Sequence, residues 1–381
     1  MNEFYIKAKI IIGLEAFCDT LKHPQRVFIV TDPFMVSSGK IAHLTERMSA
    51  RGSTCTVYSG VTSEPNTDMI AAGINKILDA KPDVVVAFGG GSPIDAAKAI
   101  VFLAKRHFGL SSCVFVAVPT TSGTGSEVSK FAVITDQAHN IKHPIVDEAL
   151  LPDIAVLDPE LTCSLPPHIT ADTGMDVLTH AIEAYVCNEA NSFSDALAEK
   201  AAKIVHKFLL KAYLSPGDLD ARRELHIASC MAGAAFSNSG LGICHSMAHA
   251  LGGWTHIPHG RANAILLPYV MSFNAGCETT LTGTAERYAE LAAALDMKAD
   301  SIRQSAINLI RMVRTLGKKM GLPKTISDAG VERGRFEEML GGMADAALAD
   351  RCTGTNPRQC SKEDIISLYR QAYNGESRII R

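Results

Sequence analysis

The sequence predicts two structural parts: an α/β part with a parallel sheet covered by helices on both faces, residues 1–162, and an all-helical part, residues 163–381. Three observations predict this division. At 381 residues the chain exceeds what one ordinary hydrophobic core organises. Up to Asp158, short apolar β-rich runs alternate with amphipathic stretches, the pattern of buried parallel strands linked by crossover helices. Beyond Pro159 that alternation stops, and helical periodicity takes over from Ile169.

In chain order, strands are expected at YIKAKIII (5–12), VFIVTD (27–32), TCTVYS (54–59), VVVAFG (84–89), VFVAVP (114–119) and IAVLD (154–158). Amphipathic helices are expected between them near 39–50, 67–79 and 94–108. FAVITDQAHNIKHPIV (131–146) reads as a hairpin whose polar turn runs from Asp136 to Asn140. LTCSLPPHITADTG is expected to be a turn-rich connector. After it, helices are expected at 172–186, 194–211, 218–237, 245–252, 279–295, 299–320, 333–347 and 362–372.

Composition narrows the function classes. Apolar residues make up 47% and charged residues 20%, as in an ordinary globular protein. Lys plus Arg is 37 against Asp plus Glu 40, a balance that points away from nucleic acid and membrane surfaces as partners. The start, MNEFYIKAKIIIG, lacks the layout of a secretion signal and no apolar run reaches the length of a membrane span, so a cytoplasmic protein is expected. The 10 cysteines include no CxxC pair and read as reduced thiols.

Ligands of parallel α/β sheets sit at the carboxyl ends of the strands. There VVVAFG runs into GGGSPIDAAKAI. Gly89, Gly90 and Gly91 allow close backbone approach, Ser92 is placed to cap the following helix, and Asp95 stands at a capping-box-like position. A glycine loop opening a helix favours a phosphate, because free N–H groups and the helix dipole both attract an anion. The next strand ends in PTTSGTGSE (119–127), a second loop of glycines and hydroxyls, and the pair points to a dinucleotide. Asp32, ending VFIVTD, fits a ribose-binding carboxylate that repels a 2′-phosphate; it fits equally a plain turn before Pro33. Lys142, on the return arm of the hairpin, suits either a phosphate contact or a solvated surface position.

The helical part carries a different chemistry. GMDVLTHAIEAY sets Asp176 and His180 four residues apart, on one face of a helix. GICHSMAHALGGWTHIPHGRANAILLP (242–268) adds His245, His249, His256 and His259. One carboxylate with several imidazoles suits a divalent ion such as Fe²⁺ or Zn²⁺, and Asp176, His180, His245 and His259 are the expected ligands. HSMAH lacks the Glu of HExxH, which argues against a zinc protease.

Together, GGGSPIDAAKAI, PTTSGTGSEVS, TGMDVLTHAIEAY and CHSMAHALGGWTHIPHGRANAILLP make the sequence resemble the iron-containing (group III) alcohol dehydrogenases over nearly its whole length. Within that family it looks most like the propanol and ethanol dehydrogenases of bacterial microcompartments. The resemblance implies a dehydroquinate synthase-like architecture, with a dinucleotide-binding α/β domain followed by an all-α metal-binding domain. It implies NAD(H) as cofactor, an ion held by Asp176, His180, His245 and His259, and a proton-transfer role for His249. Gly90, Gly91, Ser92, Asp95, Thr120, Thr121 and Lys142 fall at cofactor-contacting positions, and Asp32 at the NAD-selecting one. Phe131, Phe236 and Cys352 fall at substrate-lining positions. Phe131 replaces a polar residue of lactaldehyde-reducing relatives, which favours unadorned aliphatic aldehydes and primary alcohols. A homodimer or larger homo-oligomer is implied, with residence in the cytoplasm or inside a microcompartment beside shell proteins and an aldehyde dehydrogenase. Two alternatives are a glycerol- or diol-type metal-dependent dehydrogenase on the same fold, and a non-catalytic cargo or scaffold member.

Overall fold

The structure is a computed structural model that describes residues 3–110, 112–136, 141–377 and 379, with only the backbone described at 136 and 141–143. The chain divides into two compact units, Tyr5–Ser164 and Leu165–Arg381, the second including Phe4, whose ring stacks on Phe193.

The first unit holds strands β1 (Lys9–Ile12), β2 (Arg26–Val30), β3 (Thr54–Tyr58), β4 (Val84–Gly89), β5 (Val114–Pro119), β6 (Phe131–Asp136), β7 (Ile141–Val146) and β8 (Ile154–Leu157). Its helices are α1 (Leu14–Asp19), α2 (Pro33–Ser37), α3 (Ala42–Ala50), α4 (Thr67–Ala80) and α5 (Gly91–His107). Six strands form one sheet in the order β1-β8-β5-β4-β2-β3, every pairing parallel. Strands β6 and β7 pair antiparallel, Phe131 opposite Val146, and the polar turn expected between them at 137–140 lies outside the described residues.

Continuous apolar strands need cover on both faces, because alternate residues point opposite ways. Val27, Ile29, Val84, Val86 and Val116 pack with Phe17, Leu44 and Met48 of α1 and α3. Their neighbours Phe28, Val30, Val85, Ala87 and Phe115 pack with Ile70, Ile77, Ile94 and Ile100 of α4 and α5. The doubly covered parallel sheet expected from the sequence is thus the one observed. Because β2 is flanked by β3 on one side and β4 on the other, the strand order reverses between β2 and β4. A crevice for ligands opens at such a switch point, and here Asp32 and the Gly89–Gly91 loop end the two strands that flank it.

The second unit is helical: α6 (Pro167–Val186), α7 (Ser192–Leu214), α8 (Leu219–Ser239), α9 (Ile243–Thr255), α10 (His259–Ala275), α11 (Thr284–Ala294), α12 (Ile302–Lys319), α13 (Arg333–Ala349) and α14 (Lys362–Asn374). Helix α6 packs on α7, α8 and α10 and is buried almost without interruption from Thr170 onward. It starts five residues before the expected Asp172 because Pro167 takes the first helical position, where its missing N–H leaves nothing unsatisfied. Helix α10 is not foreseen by periodicity, since Pro268 lies inside it and reads as a breaker. Packing against α6, α9 and α12 overrides that local signal. Among the described residues no single helix is long and apolar enough to cross a membrane.

Candidate functional site

In the helical unit, Asp176 and His180 stand one turn apart on α6, and the N-terminal turn of α9 brings His245 to them. A ligand atom from each of the three lies within 4.8 Å of the others, and all three side chains are buried. His259 opens α10, with its Nε2 3.4 Å from Asp176 Oδ1; His245 Nε2 is 3.7 Å from the same oxygen. Donors about 2.1 Å from a tetrahedral ion lie roughly 3.4 Å from one another, so these spacings fit a small divalent cation. Gly260 makes the approach of α10 possible: a Cβ there would sit 2.0 Å from the Asp172 carbonyl oxygen.

Electrostatics agree with a cation site. Burial opposes ionisation of Asp176, but the imidazoles of His180, His259 and His245 outweigh it and hold the carboxyl well below the usual range. Burial also disfavours a charged His245, yet its bonds to Asp176 and Glu183 push its imidazole up to about 9. The Asn263 amide nitrogen donates to Asp176 Oδ1 at 2.7 Å and lies 3.3 Å and 3.2 Å from Nε2 of His245 and His259. Acceptor atoms from three elements therefore converge on one positively polarised group.

Around this cluster, Phe236 of α8 stacks on the His180 ring at 4.6 Å. His249, one turn after His245, stacks on His259 at 5.0 Å, and its Nδ1 donates to Asp350 Oδ2 at 2.8 Å. Asp350 also accepts from the Cys352 N–H and the Ser246 hydroxyl. Phe236 thus meets the cluster at His180, and His249, with Asp350 and Cys352 beside it, meets it at His259, whereas His256 ends α9 in the left-handed region and joins none of these contacts.

The α/β unit gathers the phosphate candidates. Gly90, not Ser92, precedes the first turn of α5, and no side chain caps it. The Ser92 hydroxyl instead donates to the Ser63 carbonyl at 2.8 Å, which leaves the amides at the helix start free for an anion. Asp95 does not reach back to the helix start either. Its two oxygens accept from the Ser126 hydroxyl at 2.6 Å and the Val133 N–H at 3.0 Å, so it clamps the hydroxyl loop to α5. A Cβ on Gly91 would lie 2.8 Å from Thr124, and one on Gly90 would lie 3.4 Å from the Thr121 hydroxyl, so the two loops touch. The Thr120 hydroxyl is buried with no hydrogen-bond partner among the described residues, a group that a bound ligand would satisfy. Asp32 caps α2 through Oδ1, and its Oδ2 faces Gly89 at the strand switch. The backbone of Lys142 belongs to β7; its side chain lies outside the described residues.

Two family models match in tandem. One described as "Iron-containing alcohol dehydrogenase" covers residues 2–159, and one described as "Fe-containing alcohol dehydrogenase family, C-terminal" covers 170–373. The chain is 44% identical to the 1-propanol dehydrogenase PduQ of Citrobacter freundii, over 94% of this chain and 96% of that one. It is 39% identical to an NADPH-dependent butanol dehydrogenase of Clostridium saccharobutylicum, over 93% of each. The solved structure of a 1,3-propanediol oxidoreductase superposes with a TM-score of 0.89 at 31% identity, covering 98% of this chain and 100% of that one. This chain belongs to the iron-containing alcohol dehydrogenase family.

For this dehydrogenase, reading residues by spacing missed four participants. Glu183 completes a stripe with Asp176 and His180 on α6, and that stripe was a usable signal. Asn263 repeats the same four-residue step after His259. Asp350 and Lys98 left no trace, because their partners are remote in the chain. Lys98 is fully buried and donates from Nζ to the Ser126 and Ser129 hydroxyls and to the Ser129 and Phe131 carbonyls.

Proposed function

We propose that this dehydrogenase interconverts short-chain aliphatic aldehydes, propionaldehyde and acetaldehyde, with their primary alcohols. It would use NAD(H) and one divalent ion held by Asp176, His180, His245 and His259, Fe²⁺ first and Zn²⁺ as the other ion this set accepts. The observation that carries this reading is the buried convergence of Asp176, His180 and His245 beside an aromatic wall. When bound, the ion supplies Lewis acidity toward an alcohol or carbonyl oxygen, and the nicotinamide gives or takes the hydride.

Each candidate side chain has its own proposed task. Phe236 offers apolar surface to an alkyl chain, with Cys352 beside His249 and Asp350. Phe131 has no hydrogen bond to offer a second hydroxyl, which favours plain aldehydes over hydroxy-aldehydes. With Nδ1 bonded to Asp350, His249 keeps Nε2 to carry a proton to or from solvent. The amides of Gly90, Gly91 and Ser92 and the hydroxyls of Thr120 and Thr121 suit a dinucleotide's phosphates and ribose, with Asp95 holding their loop in place and Lys142 adding a charge. Asp32 favours NAD over NADP by repelling a 2′-phosphate, in contrast to the NADPH-dependent butanol relative.

Anaerobically purified, metal-analysed protein tests this with C2 to C4 aldehydes, lactaldehyde, glycerol and 1,3-propanediol, each with NADH/NAD or NADPH/NADP. Fastest turnover on propionaldehyde or acetaldehyde with NADH is expected; a preference for glycerol or the diol would replace the substrate assignment. We further propose a homo-oligomer housed in a microcompartment with an aldehyde dehydrogenase, as the resemblance to the microcompartment propanol and ethanol dehydrogenases implies; light scattering and co-purification with shell proteins would test it.

A further inference from the structure

One buried carboxylate, Glu183, both closes the start of helix α9 and grips a candidate metal ligand. Its exposure is 3%, and among the described residues no lysine or arginine is paired with it. Glu183 Oε1 accepts from the Cys244 N–H at 2.8 Å. Oε2 accepts from the His245 N–H at 3.4 Å and lies 2.5 Å from His245 Nδ1. Asn356 Oδ1 takes the remaining first-turn amide, that of Ile243, at 3.2 Å. Helix α9 has no capping side chain of its own, since Gly242 precedes it. A Cβ on Gly242 would stand 2.7 Å from Glu183 Oε1 and 2.8 Å from Asn356 Oδ1, so only glycine admits both remote caps.

We propose that Glu183 is the positioning residue for His245, setting the tautomer that makes this imidazole a metal ligand. In the neutral imidazole that an ion requires, a carboxylate oxygen at Nδ1 is best met by Nδ1–H, and that tautomer leaves the lone pair on Nε2. That lone pair faces Asp176 Oδ1 and the Asn263 amide, where the other donors converge. Because the same carboxylate holds the His245 backbone, ring and main chain are fixed together. Carboxylate partners of ligating histidines commonly change metal affinity by about 10–100-fold. The inference rests on the metal reading proposed above, and its test separates the two.

Glu183→Gln is the test variant. If the Gln carbonyl caps Cys244, its NH₂ meets Nδ1 and moves the proton to Nε2; if the amide flips, its NH₂ opposes the Cys244 N–H. Affinity for Zn²⁺ alone, measured by competition with a chromophoric chelator, is expected to fall roughly 10–100-fold. The visible spectrum of the Co²⁺-loaded protein should change as an imidazole leaves the ion. Asn356→Ala removes the Ile243 cap and the Asn356 bonds to Asn274 and the Arg358 carbonyl but touches no candidate ligand, so it should lower the melting temperature and leave Zn²⁺ affinity within about threefold. Wild-type Zn²⁺ affinity in Glu183→Gln overturns the positioning role, as does an equal loss of affinity in Asn356→Ala. His245→Ala in the same assay reports on the metal reading itself: unchanged affinity there overturns both, whereas lost affinity there beside an unaltered Glu183→Gln overturns the positioning role alone. Should Glu183→Gln fail to fold, Glu183→Asp withdraws the carboxylate by one methylene; a tenfold loss supports the proposal and unchanged affinity overturns it.

Discussion

In the helical unit the candidate donors are side chains on rigid helices, with Asp176 and His180 one turn apart on α6, His245 in the first turn of α9 and His259 at the start of α10. In the α/β unit the candidate donors are backbone amides and hydroxyls on two loops, held by the half-buried Asp95 and the buried Lys98. The first centre owes its geometry to helical periodicity, and the second owes it to a network of remote contacts. The two should therefore respond to different substitutions and fail separately.

The largest effect should come from the helical side. Asp176→Ala removes the one anionic donor that His245, His259 and Asn263 all face. Metal content should drop towards zero, and turnover should fall by roughly 10²–10⁴, since Lewis acidity is worth several kcal/mol and 1.36 kcal/mol is tenfold. Metal analysis beside single-turnover kinetics checks both; full activity in a metal-free variant would break the contrast between the two centres.

Next in size is Asp350→Asn. The amide can present an oxygen to His249 Nδ1 only by turning its NH₂ toward the Cys352 N–H and the Ser246 hydroxyl. Turnover should fall by about 10–100-fold with metal content intact. Parallel loss of metal would show that Asp350 supports the ion cluster and not the proton carrier.

The same contrast explains what was legible in the sequence. The spacing between Asp176 and His180 and the glycines after VVVAFG are local signals, and a helix or a strand end converts them directly into geometry. The pairing of His249 with Asp350 joins residues 101 apart, and Lys98 meets partners up to 33 away. No periodicity encodes such pairs, because packing decides them. Ser92 shows the limit even for a local rule: its residue type suits a cap, yet Ser63 supplies a carbonyl that draws its hydroxyl away. Likewise α10 forms through Pro268 because nearly all of that helix is buried.

Lys98→Met probes the loop side. It removes the Lys98 bonds to the Ser129 and Phe131 carbonyls and takes away the cation that faces Asp95 and Glu127. Unsatisfied buried polar groups cost about 1–3 kcal/mol each, so urea unfolding should report a loss of about 2–4 kcal/mol. NADH should bind about tenfold more weakly by fluorescence titration, a shift of 1.4 kcal/mol. Zn²⁺ affinity should not change. If it changes as much as NADH affinity, the two centres are not independent in the way their construction suggests.

The smallest effect concerns Glu127, 2% exposed, which burial pushes up from 4.5 to about 7 against the pull of a backbone bond and Lys98. The folded chain then holds this proton more tightly than the unfolded chain does. Its stability is favoured most below 4.5 and declines as pH rises from there to about 7. Glu127→Gln removes that dependence while keeping the shape. Relative to the parent, the variant should gain about 1–3 kcal/mol more at pH 7.5 than at pH 5 in urea unfolding. Lys98, lowered by burial to about 8, varies in stability mainly above that pH, so its contribution largely cancels in this difference. A difference between parent and variant that stays flat with pH would mean that the buried carboxylate under the hydroxyl loop is ionised throughout, compensated by Lys98 as a true ion pair.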